Sequence, residues 1–261
     1  MRDALPNTNI SSFLTRFVAL LLCALPLVPA YGDGMLVEPA VQHSGEFVYD
    51  ARMAFLKAGE LSLAMTRSGA DYEVLGEFQT SRAMSNYYSW NGVFAAVGRW
   101  ERAGPVTTAY MSRTTSKDSD LRIVLTYPDA TRVLDGSNEE FESVAHPGGV
   151  DLISALFFYP TCYEGGAVHD GEDAYQLTLK SKKTHRLRGG SRYYQGEVTS
   201  CDYLVRDHKD RKRRVVVSLG DVNGATVAVQ VRAKIPLLPD AVFRLRTDTP
   251  AAEADSTVAA R

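Results

Sequence analysis

The sequence predicts an all-β protein, an antiparallel open or half barrel with one short helix. Apolar residues alternate with polar residues along many short runs, which is the pattern of strands with one buried face. Turn signals such as Asp135-Gly136 and Asn223-Gly224 separate these runs. The connections are too short for helical crossovers, so neighbouring strands are expected to be antiparallel. About ten strands that share one apolar face must curl to bury that face.

The N-terminal segment has the features of a secretion signal. Arg2 and Arg16 flank a polar start, and an apolar run over residues 17–28 follows. This run is about a dozen residues long, whereas a membrane-spanning helix needs roughly twenty. Residues 1–30 are therefore predicted to be a signal peptide, cleaved after Ala30 or two residues later. We expect a periplasmic protein with no transmembrane segment in the mature chain.

One domain is predicted over residues 41–246. Alternation with period two is clearest in residues 47–55, 61–65, 72–78, 175–179 and 227–235. In the last of these runs, valines at every second position alternate with polar residues, which predicts a half-exposed strand. Residues 247–261 are small and polar with almost nothing to bury, so they are predicted to be a disordered tail.

Residues 151–159 depart from the strand pattern. Helical spacing is shown by Leu152, Ile153, Leu156 and Phe157. Asp151 can cap a helix at this point, and Pro160 can end it. The segment is predicted to be a short helix packed across an opening of the sheet.

Two cysteines, Cys162 and Cys201, remain after removal of the signal. In an oxidising compartment two remaining thiols favour a structural disulfide. Closing a loop of about forty residues stabilises a fold by about 4 kcal/mol in the chain-entropy model. A redox couple or a metal site is the alternative, but the sequence has no CxxC motif and no histidine at ligand spacing beside either cysteine.

Five short motifs resemble a known family. They are F-x-Y-x-A-x-M-A-F-L-K-A-G-E at 47–60, W-x-R-x-G-P-V-x-x-x-Y at 100–110, D-L-I-S-A-L-F at 151–157, H-D-G-E-D-A-Y-Q-L-T-L at 169–179 and I-P-L-L-P-D-A-V-F-R-L at 235–245. In this layout the chain resembles domain of unknown function 3108, a periplasmic family of Gram-negative bacteria. The resemblance implies an exported, mostly antiparallel β protein that is similar to the open barrels of periplasmic lipoprotein carriers. It supplies no catalytic residues.

The sequence predicts no enzyme, no metal and no cofactor. It lacks the nucleophile elbow, the HExxH motif, the P-loop and the dinucleotide-binding fingerprint. The five histidines are scattered through loop-like sequence, where solvated or locally bonded side chains are expected. Carboxylates cluster at 139–142 and 170–173, and such pairs can hydrolyse glycosides when a cleft holds them apart. Both clusters lie at turn signals, where acids are ordinary solvated residues.

Basic residues are concentrated in one part of a slightly acidic chain. The chain has 29 Lys and Arg against 31 Asp and Glu, yet residues 180–214 carry twelve cations against four acids. The candidate patch for an anionic envelope surface is Arg206, Lys209, Arg211, Lys212, Arg213 and Arg214. Nucleic acid is not an expected partner outside the cytoplasm. The alternative is a solvated hairpin tip that protects a sheet edge.

Aromatic residues are concentrated around Asn91-Gly92. They are Tyr87, Tyr88, Trp90, Phe94 and Trp100. They are expected either to fill the interior of the barrel or to line an apolar cavity for a ligand.

Three hypotheses for the function follow from these features. The first is a non-enzymatic protein that binds an apolar or amphiphilic ligand, such as a lipid, in its curved sheet. The second is an envelope scaffold or interaction protein that uses the basic patch. The third is a cell-wall hydrolase, for which the sequence offers no convincing acid and base pair.

Overall fold

The computed structural model describes residues 43–102, 104–116, 121–136, 140–234 and 239–248. The predicted signal peptide lies outside the described residues. So does the predicted tail, except for Thr247 and Asp248.

Strands dominate the described chain. They are β1 His43–Met53, β2 Leu56–Ser68, β3 Asp71–Thr80, β4 Trp90–Glu101, β5 Gly104–Ser116, β6 Arg122–Thr126, β7 Thr131–Asp135, β8 Glu142–Val144, β9 Val150–Asp151, β10 Gly165–His169, β11 Ala174–Leu187, β12 Gly196–Asp207, β13 Lys212–Val222, β14 Ala225–Lys234 and β15 Ala241–Leu245. Two helices accompany them, α1 Arg82–Ser85 and α2 Leu152–Phe157. Neither described helix has the length and apolar character needed to cross a bilayer.

The described strands form one sheet in the order β8-β7-β6-β5-β4-β3-β2-β1-β15-β14-β13-β12-β11-β10-β9. Neighbouring strands are antiparallel, except that β9 and β10 are parallel. No backbone ladder joins the two end strands, β8 and β9, so the sheet does not close into a barrel. The predicted fold class, an open antiparallel β architecture, is confirmed.

The helix α2 lies where the sequence predicted a helix. Asp151 caps it, since its Oδ1 accepts a hydrogen bond from the Ser154 amide at 2.9 Å. The prediction of one helix was nevertheless incomplete, because α1 was not expected. The helix α1 has only four residues and no buried residue, so it leaves no apolar periodicity in the sequence. The Ser81 hydroxyl caps it by accepting from the Met84 amide.

The core lies on one face of the sheet, beneath α2. Alternate residues of the central strands, such as Tyr49, Leu63 and Val74, are almost fully buried there. The helix packs onto them through aromatic rings. Phe157 meets Tyr49 edge-on with ring centroids 5.2 Å apart, and the next residue, Phe158, lies 5.8 Å from Phe47.

Side chains, rather than a backbone ladder, hold the two ends of the sheet together. The Thr107 hydroxyl on β5 donates to Asp151 Oδ2 on β9 at 2.6 Å and accepts from the Asp151 amide at 3.0 Å. The Thr126 hydroxyl on β6 donates to the Gly171 carbonyl at 2.7 Å. Gly171 has φ +102°, and a Cβ there would lie 2.7 Å from the Tyr110 ring, so glycine is required at this contact. The sheet is therefore rolled into a half barrel with a fixed opening.

Candidate functional site

An apolar cavity of about 390 Å³ lies inside the half barrel. Its volume falls within the range of about 300–1,000 Å³ that is usual for small-molecule sites. Three walls enclose it: an aromatic wall from β3, β4 and β15, an aliphatic wall from β12, β13 and β14, and one side of α2. The aliphatic wall contains Val205, Val215 and Val231, and the helix contributes Leu152, Ile153 and Leu156.

The aromatic wall is a chain of rings in contact. Phe78 lies 5.2 Å from Trp90, and Trp90 lies 5.9 Å from Phe94. Phe243 continues the chain, 6.3 Å from Phe78 and 6.4 Å from Phe157 of the helix. Tilted and edge-on ring pairs at these distances are favourable and hold one another in place. The wall is therefore a preformed apolar surface.

Four charged residues border one end of the cavity. They are Asp207, Arg211, Arg213 and Lys234. Arg211 donates to Asp207 Oδ2 at 2.6 Å and its amide donates to Oδ1 at 2.9 Å. Burial tends to raise the pKa of Asp207, but these bonds and the amide of Lys209 outweigh it and hold the pKa below its ordinary value. Asp207 is thus ionised, and its charge is paired with that of Arg211.

Arg213 differs from Arg211 in having no ion-pair partner among the described residues. Its side chain is exposed at the mouth of the cavity. Lys234 pairs in register with Arg214, so its side chain lies on the opposite face of the sheet, where its charge acts on Asp202. The mouth therefore carries two cations against one carboxylate, and the charge of Arg213 is left without a counter-ion from the described part of the chain.

The predicted aromatic cluster is divided in the structure. Trp90 and Phe94 line the cavity. Tyr87 and Tyr88 lie in the connection from α1 to β4, where 82% and 58% of their surfaces are exposed. Trp100 lies at the other end of β4, against Tyr72 at 6.0 Å and beneath the Arg67 guanidinium.

The predicted basic patch is also divided. Alternation along β13 places Arg213 at the cavity mouth and Arg214 on the opposite face, where it pairs with Asp202. Arg206 pairs with Asp210 at 3.0 Å. Arg211 pairs with Asp207, so three of the six cations in the patch have an aspartate partner. Fewer charges are therefore left to bind an anionic envelope surface.

Several cavity residues were missed by the sequence analysis. The valines of β12–β14 and Phe243 of β15 lie on strands that are distant in the sequence from the aromatic cluster. The apolar face of α2 was recognised, but as a packing surface. The order of strands in the sheet brings these cavity residues together, and the periodicity of the sequence does not reveal that order.

The disulfide between Cys162 and Cys201 is present, with a sequence separation of 39 and Cα atoms 5.5 Å apart. This part of the prediction is confirmed. The bond attaches the loop that follows α2 to the inner face of β12. It therefore holds the helix, and with it one wall of the cavity, against the sheet.

A buried polar cluster lies behind α2, on the side away from the mouth. His169 is almost fully buried, and its Nδ1 accepts a hydrogen bond from the Gly171 amide at 3.1 Å. Burial lowers the pKa of His169, with the charge of Asp151 acting in the opposite direction. The Ser154 hydroxyl donates to the Tyr72 hydroxyl, which also bonds to Thr107. These polar groups hydrogen-bond to one another where the two ends of the half barrel meet, so the cluster has a structural role.

Over the described ranges, no group of three or more His, Cys, Asp or Glu side chains is placed to hold a metal ion.

Comparison with known proteins identifies no family. No family model matches the chain, and no curated protein matches it. Among solved structures, a DUF1329 family protein from Desulfovibrio piger is similar at 12% sequence identity and a TM-score of 0.25. The match covers 81% of this chain and 87% of that chain. A likeness of this degree carries no argument about this protein, and the resemblance to domain of unknown function 3108 stays a prediction.

Proposed function

We propose that this protein is a non-enzymatic binder of a single-chain amphiphile, with the apolar chain held in the cavity of the half barrel. The observation that carries the proposal is the cavity itself, which is apolar on three walls and open at one end. Burying a hydrocarbon chain there would remove roughly 0.8 kcal/mol of unfavourable hydration per methylene.

The walls favour binding because they are ordered before any ligand arrives. The aromatic rings contact one another, and α2 is held by its Asp151 cap and by the nearby disulfide. A preformed site loses little conformational entropy on binding, so more of the burial energy is retained as affinity.

The disulfide and the predicted signal together support a place of action in an oxidising compartment, which for a Gram-negative cell is the periplasm. In that compartment acyl chains of envelope lipids and lipoproteins are the abundant ligands of this shape. A soluble binder of such a chain would need no catalytic residues.

Isothermal titration with dodecyl-chain amphiphiles below their micelle concentration tests the proposal. Two variants should abolish binding by different means: Phe94→Arg introduces a charge into the cavity, and Ala233→Phe fills it. Val106→Arg is the matched control, because Val106 is 41% exposed and lies outside the cavity on β5. Binding that survives both cavity variants, or no binding of any amphiphile by the folded wild type, would contradict the proposal.

A further inference from the structure

The two ends of the cavity differ in charge. The interior contacts are apolar, whereas the mouth carries the side chains of Asp207, Arg211 and Arg213. An amphiphile with its chain inside must place its head group among these three side chains. The charge of the mouth therefore selects the class of head group.

Asp207 and Arg211 neutralise each other through two hydrogen bonds. Two carboxylates on the neighbouring turn from β10 to β11 are also engaged. Asp170 accepts from the Tyr175 hydroxyl at 2.7 Å, and Asp173 lies 3.3 Å from His208. The positive charge of Arg213 is thus left to act on whatever enters the mouth.

Arg213 is the cation of these two strands that faces the cavity. It alternates with Arg214 along β13, and Lys234 on β14 pairs in register with Arg214, so Lys234 lies with Arg214 on the opposite face of the sheet. Val205, which pairs with Arg213 on β12, lines the cavity. A carboxylate or phosphate can accept two hydrogen bonds from one guanidinium, and such charge-assisted bonds are stronger than neutral ones.

We infer that Arg213 forms a recognition site for an anionic head group, so that the ligand is an acidic amphiphile such as a fatty acid or a lipid phosphate. This inference rests on the proposed function and adds the class of ligand to it. The apolar walls next to the Arg213 guanidinium lower the local dielectric and strengthen its attraction for an anion.

The test compares three ligands with the same chain and different heads: dodecanoate, dodecanol and dodecyltrimethylammonium, titrated calorimetrically at pH 8 into the full chain. Dodecanoate should bind about tenfold more tightly than dodecanol, as expected for hydrogen bonds to a charged group, and the cationic ligand should bind most weakly. Dodecyl phosphate, used as a fourth ligand, distinguishes a phosphate head from a carboxylate head.

Arg213→Gln should reduce the preference for dodecanoate over dodecanol, because it weakens the binding of dodecanoate more than that of dodecanol. Lys212→Gln is the matched control. It removes the same charge from the adjacent residue of β13, whose side chain is on the face away from the cavity. The preference should also shrink as salt rises.

The possible results distinguish the head-group site from the apolar binding function. Equal binding of all heads, or a preference that survives Arg213→Gln, would overturn the head-group site and leave the apolar binding function intact. Failure of every dodecyl ligand to bind the folded protein would overturn both.

Discussion

Asp50 shows how one buried charge anchors a connection to the sheet. Its side chain is 1% exposed. Lys57 Nζ lies 2.8 Å from Oδ1, the Tyr193 hydroxyl donates to Oδ2 at 2.8 Å, and the Arg192 guanidinium lies 3.8 Å away. Tyr193 and Arg192 belong to the connection between β11 and β12. One carboxylate on β1 therefore holds that connection against the sheet.

The pKa of Asp50 gives this anchor a pH dependence. Burial tends to raise the pKa, but the hydrogen bonds from Lys57 and Tyr193 and the charges of Lys57 and Arg192 outweigh burial and lower it below 3.8. Because the folded pKa is depressed, the stabilisation is complete above the unfolded value and is lost as the pH falls through the folded value.

We predict that Asp50→Asn lowers the free energy of unfolding by about 1–3 kcal/mol at pH 7, because a hydrogen-bonded charge is lost. The difference from wild type should shrink as the pH falls below the unfolded pKa and vanish below the depressed folded pKa, where the wild-type carboxyl is neutral as well. Urea unfolding at several pH values measures this. The control is Asp71→Asn, at an exposed position where β3 begins. An equal loss in the two variants, or a loss that persists unchanged at pH 2, would contradict the account.

At the scale of elements, the helix α2 is a wall of the cavity as well as part of the core. Its buried residues Leu156 and Phe157 pack onto the sheet, while Leu152 and Ile153 are only partly buried and face the cavity. A helix of six residues is too short to be stable by itself. It is held by the Asp151 cap at its start and, beyond its end, by the disulfide of Cys162.

We predict that the double variant Cys162→Ser, Cys201→Ser lowers the free energy of unfolding by about 4 kcal/mol, which corresponds to a fall in Tm of about 10 °C for a domain of this size. Amphiphile affinity should fall with it, because α2 loses its attachment. Calorimetric melting with and without reductant measures the first effect. The variant itself should be insensitive to reductant. A wild-type Tm that reductant does not change would contradict the prediction.

The sequence predicted the strands and the helix α2 better than it predicted their arrangement in the sheet. Period-two alternation predicted strands where β1, β2, β3, β11 and β14 lie, and the capped run at 151–159 predicted α2. These signals are local, since they depend on which residues share a face. The role of Gly171 was not visible in the same way. Residues 170–173 were recognised as a turn, but the Gly171 carbonyl is also the acceptor that joins β6 to the far end of the sheet.

At the scale of the whole molecule, the fold is an open sheet whose ends are joined by side chains. That closure leaves an interior that α2 fills only in part, and the remaining space is the cavity. The candidate site was only partly predictable for the same reason. Trp90 and Phe94 were identified from an aromatic cluster, but their partners across the cavity come from strands more than a hundred residues later. Only the strand order places them opposite one another.

The most direct test of the cavity as a ligand site uses the two tryptophans of the chain, Trp90 and Trp100. Trp90 lines the cavity, whereas Trp100 packs against Tyr72 at the other end of β4. Fluorescence of two variants is titrated with 12-bromododecanoate, whose heavy atom quenches at contact. The Trp100→Phe variant, in which Trp90 is the only tryptophan, should be quenched with saturation. The Trp90→Phe variant should not be quenched beyond the level of free bromide. Equal quenching of both variants, or none in either, would contradict the account.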